Sequence, residues 1–198
     1  MILQLGPSDP YNDAPQIAPG TLAEVLRLVT EPMSLIATGG FDELAALLET
    51  DRALVRSKIA RLFLIGGHAE GFLPIDPRLK ERYPERFGGA PDPAFGRLLT
   101  SGEGVIWLPG DVCLWRHWDE EKQEATLLST LPAFCLARHP EPMPWLRLFR
   151  TIPARVSVDE SGALTELLVN APSPNIYVIV AIDGAALSRF LVAQATEV

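Results

Sequence analysis

A short acidic segment near the N-terminus carries the first residues with the means to do chemistry. Ser8-Asp-Pro-Tyr-Asn-Asp13 places Asp9 and Asp13 four residues apart with Asn12 between them. Hard cations take several converging oxygen ligands, so two carboxylates in one loop are the beginning of a site. The bland reading of the same residues is an Asx-type turn. Gly66-Gly-His-Ala-Glu-Gly71 follows an apolar strand and invites a dinucleotide-binding reading. It lacks the Gly-x-Gly-x-x-Gly spacing and the helix start that a dinucleotide turn requires.

Other signatures are incomplete or missing. His68-Ala-Glu70 matches the opening of a zinc deaminase motif, but no Pro-Cys-x-x-Cys completes it, which leaves His68 a loop histidine. The chain has no Gly-x-Ser-x-Gly elbow, no P-loop and no His-Glu-x-x-His. Trp115 and Trp118 stand three apart, either as a stacking platform or as core and interface anchors. Cys113 and Cys135 are the only cysteines and are far apart, so they read as free thiols.

The elements that must position these residues are legible from periodicity. Ile2–Leu5 is a candidate strand. Thr21 and Glu24 have capping-box spacing ahead of a helix whose Leu22, Val25, Leu26 and Val29 form one stripe, and Pro32 ends it. Met33–Ala37 is an apolar strand running into Thr38-Gly-Gly40. Phe41, Leu44, Ala45 and Leu48 then form the buried stripe of a helix, with Asp42, Glu43 and Glu49 on its polar side. Asp51 caps a further turn, and a second apolar strand over 60–65 ends at Gly66-Gly67. This is a βαβ unit, and in open α/β sheets ligands bind beyond the carboxyl ends of such strands.

Residues 68–91 read as a long loop, of the kind that forms lids or mobile segments. A short helix over 94–99 and a strand over 105–108 ending at Pro109-Gly-Asp111 come next. A helix is predicted over 120–131, then a rigid connector at 139–144. A hairpin of strands 155–159 and 164–169 turns at Ser161-Gly162. The strongest buried-strand signal is 175–182, followed by a helix opened by Asp183. The sum is one α/β domain over 1–198: a mainly parallel sheet with helices on both faces and an antiparallel addition near the C-terminus.

Composition narrows the partners. The formal charge of −8 argues against a nucleic-acid backbone, which needs a basic face. No apolar run is long enough to span a bilayer, and no secretory signal opens the chain, so the expectation is no membrane partner and a cytoplasmic setting.

The ordered series of pieces resembles the nucleoside hydrolases of the inosine–uridine-preferring type. Leu35-Ile-Ala-Thr-Gly-Gly40, Leu64-Ile-Gly-Gly67, Pro84-Glu-Arg-Phe87, Asp92-Pro-Ala-Phe95 and Leu108-Pro-Gly-Asp111 match that family's motifs in order. The resemblance covers roughly residues 20–112 and 153–195. It implies hydrolysis of the N-glycosidic bond of a ribonucleoside, with a calcium ion held by an Asp-rich loop. On that basis Asp9 and Asp13 are candidate metal ligands and catalytic bases, and Thr38 a carbonyl ligand. Glu85, Gly66 and Gly67 are candidate substrate contacts, and His139 the leaving-group acid.

The sequence also departs from the family pattern. Pro7 stands where the resemblance would put the first Asp, and Gly88 or Gly89 where it would put the ribose-binding Asn. The reading is therefore a non-catalytic or impaired relative, a homo-oligomer that binds a nucleoside-like ligand or serves in assembly. The alternative is an active metal-dependent N-ribosyl hydrolase.

Overall fold

The computed structural model describes residues 1–6, 14–69, 71–73, 81, 90–102, 104–110, 118–119, 124–125, 137 and 149–182. In chain order the elements are β1 (Ile2–Leu5), β2 (Gln16–Ile17), α1 (Leu22–Leu28), β3 (Met33–Ala37), α2 (Phe41–Thr50), α3 (Arg52–Lys58), β4 (Ile59–Ile65), α4 (Pro93–Leu99), β5 (Val105–Leu108), β6 (Trp118–Asp119), β7 (Glu124–Ala125), β8 (Phe149–Val158), β9 (Leu164–Val169) and β10 (Ile176–Ile182). Eight strands form one sheet in the order β2-β1-β3-β4-β5-β10-β8-β9. From β2 to β10 every neighbouring pair is parallel, and β8 and β9 add an antiparallel pair at one edge. The mainly parallel α/β sheet with its antiparallel addition is thus the architecture expected from the sequence.

The strand order advances β1, β3, β4, β5 without turning back. Parallel crossovers are right-handed, so connections that all advance the same way lie on the same face. The core shows this: Leu22 and Leu26 of α1, Leu44 and Leu48 of α2, Val55 of α3 and Leu98 of α4 join Leu35, Leu62, Leu64 and Trp107 in one buried cluster. Each fully buried Leu or Phe of this kind contributes about 1.5–3 kcal/mol. The residues that alternate to the other face, Ile36, Phe63, Leu108 and Ile179, are buried too, so both faces of the sheet are covered.

The βαβ unit holds its predicted form. Asp51 caps α3 by accepting from the Leu54 amide at 3.1 Å, and α3 runs a turn further than its cap alone implied. The capping box at Thr21 does not form. Thr21 has ψ near 2° and its hydroxyl donates to the Ala18 carbonyl at 2.7 Å, so it is turned into a local bend and away from the helix amides. Glu43 of α2 takes over, accepting from the amides of Gly20 at 2.9 Å and Leu22 at 2.8 Å. One carboxylate thereby ties the start of α1 to α2.

Residues 118–119 and 124–125 pair as a two-stranded antiparallel ladder, so Glu124 and Ala125 are extended where the helix over 120–131 was expected; the rest of that span lies outside the described residues. The run Glu120 to Glu124 is polar throughout and offers no apolar stripe to hold a helix against a core. The hairpin is longer than its alternation suggests, because Pro153 interrupts the pattern of β8. β8 also extends past the first residue of β10. There the Asn175 side chain supplies a rung, its Oδ1 accepting from the Val156 amide at 3.0 Å and its Nδ2 donating to the Val156 carbonyl at 3.2 Å. The predicted helix after Asp183, both cysteines, Trp115 and most of the 68–91 loop lie outside the described residues.

Because the Leu22 amide is partly buried, Glu43→Ala leaves a donor without its partner. Urea unfolding is expected to show a loss of about 1–2 kcal/mol for Glu43→Ala and under about 0.5 kcal/mol for Glu24→Ala. The reverse ranking would restore the capping box.

Candidate functional site

The register fixes where ligands can sit. Leu5 pairs with Ala37, Ala37 with Leu64, and Leu64 with Trp107, so four parallel strands end at one level. β1 is followed by a step to β2 on one side, whereas β3 is followed by a step to β4 on the other. The reversal makes the gap between the ends of β1 and β3 the topological switch point of the sheet, the usual ligand crevice.

Glycine allows these ends to meet. Gly6 has φ +111°, and a Cβ there would stand 2.5 Å from the Gly39 nitrogen and 2.6 Å from Thr38 Oγ1. The Thr38 amide donates to the Leu5 carbonyl at 2.9 Å, and its hydroxyl points to the same oxygen at 3.4 Å. Gly40, also left-handed at φ +64°, then opens α2. At the next strand end, the Gly66 amide donates to the Leu108 carbonyl at 3.1 Å and the Gly110 amide to the Gly67 carbonyl at 2.9 Å. The Trp107 indole N–H reaches over to the Gly66 carbonyl at 2.8 Å.

Of the residues singled out from the sequence, Thr38, Gly66 and Gly67 are thus brought to one edge. Asp9, Asp13, Glu85 and His139 lie outside the described residues. The two ends of the segment bearing Asp9 and Asp13 are placed, however. It leaves the sheet at Gly6, against Thr38, and returns where Gln16 Nε2 donates to the Gly6 carbonyl at 3.2 Å and the Gln4 amide to Pro15 at 3.0 Å. Gln4 is buried to 1% exposure beside this crevice, a buried polar residue that the sequence reading treated only as part of a strand.

A second concavity opens next to Gly67, on the side of the sheet that carries the helices. It is a half-open cleft of about 260 Å³. Phe41 and Phe95 meet edge to face with ring centres 5.0 Å apart, and Phe95 meets Trp107 in the same way at 6.5 Å. These rings, with His68, Phe72 and Asp92, line the cleft. Asp92 caps α4, its Oδ1 accepting from the amides of Ala94 at 2.8 Å and Phe95 at 3.2 Å, with Pro93 at the first helical position.

The remaining wall is the tip of the β8–β9 hairpin, Gly162 to Leu164. Gly162 has φ +82°, and a Cβ on it would come within 2.7 Å of the Pro93 Cα. A Cβ on Gly96 would come within 2.7 Å of the Gly162 Cα. Two glycines therefore let the hairpin press onto α4. Asp159 shapes the tip, its Oδ1 accepting from the Ser161 hydroxyl at 2.6 Å and from the amides of Ser161 at 2.9 Å and Ala163 at 3.0 Å.

The Ser161 hydroxyl is the main reason that the Asp159 carboxyl titrates below its ordinary value of 3.8; desolvation opposes this and the two amides add to it. A carboxylate depressed in the folded state stabilises above its unfolded value, and that contribution fades as pH falls through the folded one. The amide resonances of Ser161 and Ala163 are therefore expected to titrate together below about pH 4, and to stop doing so in Asp159→Asn. Gly162→Ala combines a left-handed backbone with the clash at Pro93. It is expected to lower stability by about 2–3 kcal/mol in urea unfolding, whereas a loss of about 1 kcal/mol, the left-handed backbone alone, would mean that the tip is free of α4.

The whole arrangement is similar to solved hydrolases. The inosine–uridine preferring nucleoside hydrolase of Bacillus anthracis superposes with a TM-score of 0.61 at 16% identity, over 93% of this chain and 68% of that one. The purine-preferring ribonucleoside hydrolase of Gardnerella vaginalis gives 0.55 at 17%, over 93% and 67%. By sequence, no family model and no curated protein matches. At such identities the likeness speaks for the fold alone, and on that ground this chain has a nucleoside hydrolase-like α/β fold.

Proposed function

We propose that the chain is a divergent nucleoside hydrolase-like protein that binds a nucleoside or related riboside at the β1–β3 crevice with little or no catalysis. The observation that supports this is the chemistry of the strand ends. Leu5-Gly6, Ala37-Thr38-Gly39 and Ile65-Gly66-Gly67, at the ends of β1, β3 and β4, present backbone groups and one hydroxyl and no carboxylate; Asp111, past the end of β5, lies outside the described residues. The Thr38 hydroxyl is already directed at the Leu5 carbonyl. Such an edge suits hydrogen bonding to a polar ligand better than it suits activating water. Homo-oligomerisation and a cytoplasmic setting belong to the same reading.

A second reading, the metal-dependent N-ribosyl hydrolase, is favoured by one feature. The segment bearing Asp9 and Asp13 begins at Gly6, in contact with Thr38. Its donor set is thin. Calcium takes six to eight oxygens, and the Thr38 carbonyl with Asp9 and Asp13 would supply about three to five of them, short of a full cage. Among the described residues no group of three or more His, Cys, Asp or Glu side chains comes together. These residues do not by themselves fit a tightly held ion, and no metal-dependent step is derived. Glu85 as a ribose contact and His139 as leaving-group acid stand or fall with this alternative.

The two readings separate in one set of measurements. Binding-only function predicts a rise in melting temperature with inosine, uridine or adenosine, none with calcium, and no free base after prolonged incubation. A ligand at a hundredfold excess over its Kd adds about 2.7 kcal/mol, well within reach of a thermal shift. Asp9→Asn with Asp13→Asn leaves that shift unchanged. A calcium-dependent rise together with base release that the double variant abolishes would establish the hydrolase instead.

A further inference from the structure

The aromatic cleft beside α4 shares Gly67 with the strand ends but is otherwise lined by different residues, and its chemistry differs from that of the crevice. We propose that it is a separate binding site for a small organic cation, an ammonium group attached to a compact apolar or aromatic body. Three observations carry this. First, its walls are aromatic. Phe41, Phe95 and Trp107 form a continuous edge-to-face series, and Phe72, 39% exposed, stands at the mouth. Trp107, 1% exposed with its N–H committed to the Gly66 carbonyl, and Phe95, 5% exposed, back the cleft, and the ring surface open to a ligand is that of Phe41 and Phe72. Ring faces carry negative quadrupole charge and attract cations, more strongly where water is reduced.

Second, Asp92 is the one acidic residue among the described lining residues, and no Lys or Arg is among them. Its Oδ1 is taken by two helix amides, which holds the side chain in place and fixes a carboxylate beside the rings. A carboxylate next to several ring faces is the arrangement that recognises an ammonium head on an apolar body. A neutral aromatic ligand would gain nothing from Asp92, and an anion would be opposed by it and by the net charge of −8.

Third, the cleft is built to a size. About 260 Å³ is just under the usual lower bound of roughly 300 Å³ for small-molecule pockets, which suits one ring or two fused rings. Its fourth wall is held by the Gly162 contact with Pro93 and Gly96, so the volume is set by backbone against backbone. Side-chain rearrangement alone does not close it.

Three probes share one ring system and differ only in charge: tryptamine, indole and indole-3-acetate. Titrated against the full chain by calorimetry in the absence of calcium, they are expected to bind in that order, with the acetate at least tenfold weaker than tryptamine. Asp92→Asn keeps an N-capping side chain and removes the charge. It should weaken tryptamine about tenfold and leave indole unchanged. Phe72→Ala alters an exposed position with little risk to folding, and it should weaken both tryptamine and indole. Equal binding of all three probes, no binding at millimolar concentration, or tryptamine binding indifferent to both variants would overturn the site. Failure here leaves the nucleoside reading intact, because Asp92 and Phe72 are not among the strand-end residues on which that reading rests.

Discussion

Neighbouring parallel strands can be joined in practice only by right-handed crossovers, and most of this molecule follows from that constraint. Once β1, β3, β4 and β5 lie side by side in that order, α1 to α4 are obliged to share a face, and four strand ends are obliged to share an edge. The single departure, the step from β1 outward to β2, is what opens a crevice between β1 and β3. No residue has to be chosen for function to produce that crevice. Residues must instead be chosen to let the strand ends approach, which is the role of Gly6 against Thr38 and Gly39.

The opposite edge of the sheet solves a different problem. An antiparallel pair at the end of a parallel sheet exposes an edge strand, and here β9 leaves Leu168 and Val169 partly open to solvent. The hairpin is not a passive addition, however. Asn175 prolongs the pairing of β8 beyond β10, and the extra length carries the Asp159–Ala163 turn onto α4. The Gly96–Gly162 contact then couples an element from the C-terminal third of the chain to one from its middle. Through that contact the hairpin tip supplies one wall of the cleft lined by Phe41, Phe72, Asp92, Phe95 and Trp107.

The difference between what was legible in the sequence and what was not follows the range of the interactions. β1, β3, α2, β4, β5, the β8–β9 turn and β10 are specified by periodicity and by Gly or Pro within a few residues, and all were readable. The capping of α1 was not, because its carboxylate, Glu43, lies more than twenty residues from the amides it accepts from, while the nearer Glu24 has the right spacing and no role in the cap. Pro153 disguised the first half of β8, since a strand at that place depends on partners in β10 and β9 rather than on its own alternation. At the strand ends, Thr38, Gly66 and Gly67 could be singled out because a βαβ unit always aims its turns at one edge. The aromatic cleft had no sequence signature at all, for Phe41 and Phe95 have the spacing of ordinary core residues.

The strand ends themselves bear on what the fold can do. A crevice lined by glycine backbone gives close approach and many hydrogen-bonding groups, but it cannot transfer a proton or hold a charge by itself. Any acid, base or cation site must come from a segment that arches over it. Residues 7–13 are one segment in a place to do so, and its two flanks are fixed, Gly6 and Gln16 lying within hydrogen-bonding distance of each other. Pinning both ends of so short a segment limits where Asp9 and Asp13 can reach. The sheet and its glycines thus supply an edge that a ligand can approach closely, whereas acid–base chemistry would have to come from side chains outside that edge. The same fold can keep the first property after losing the second.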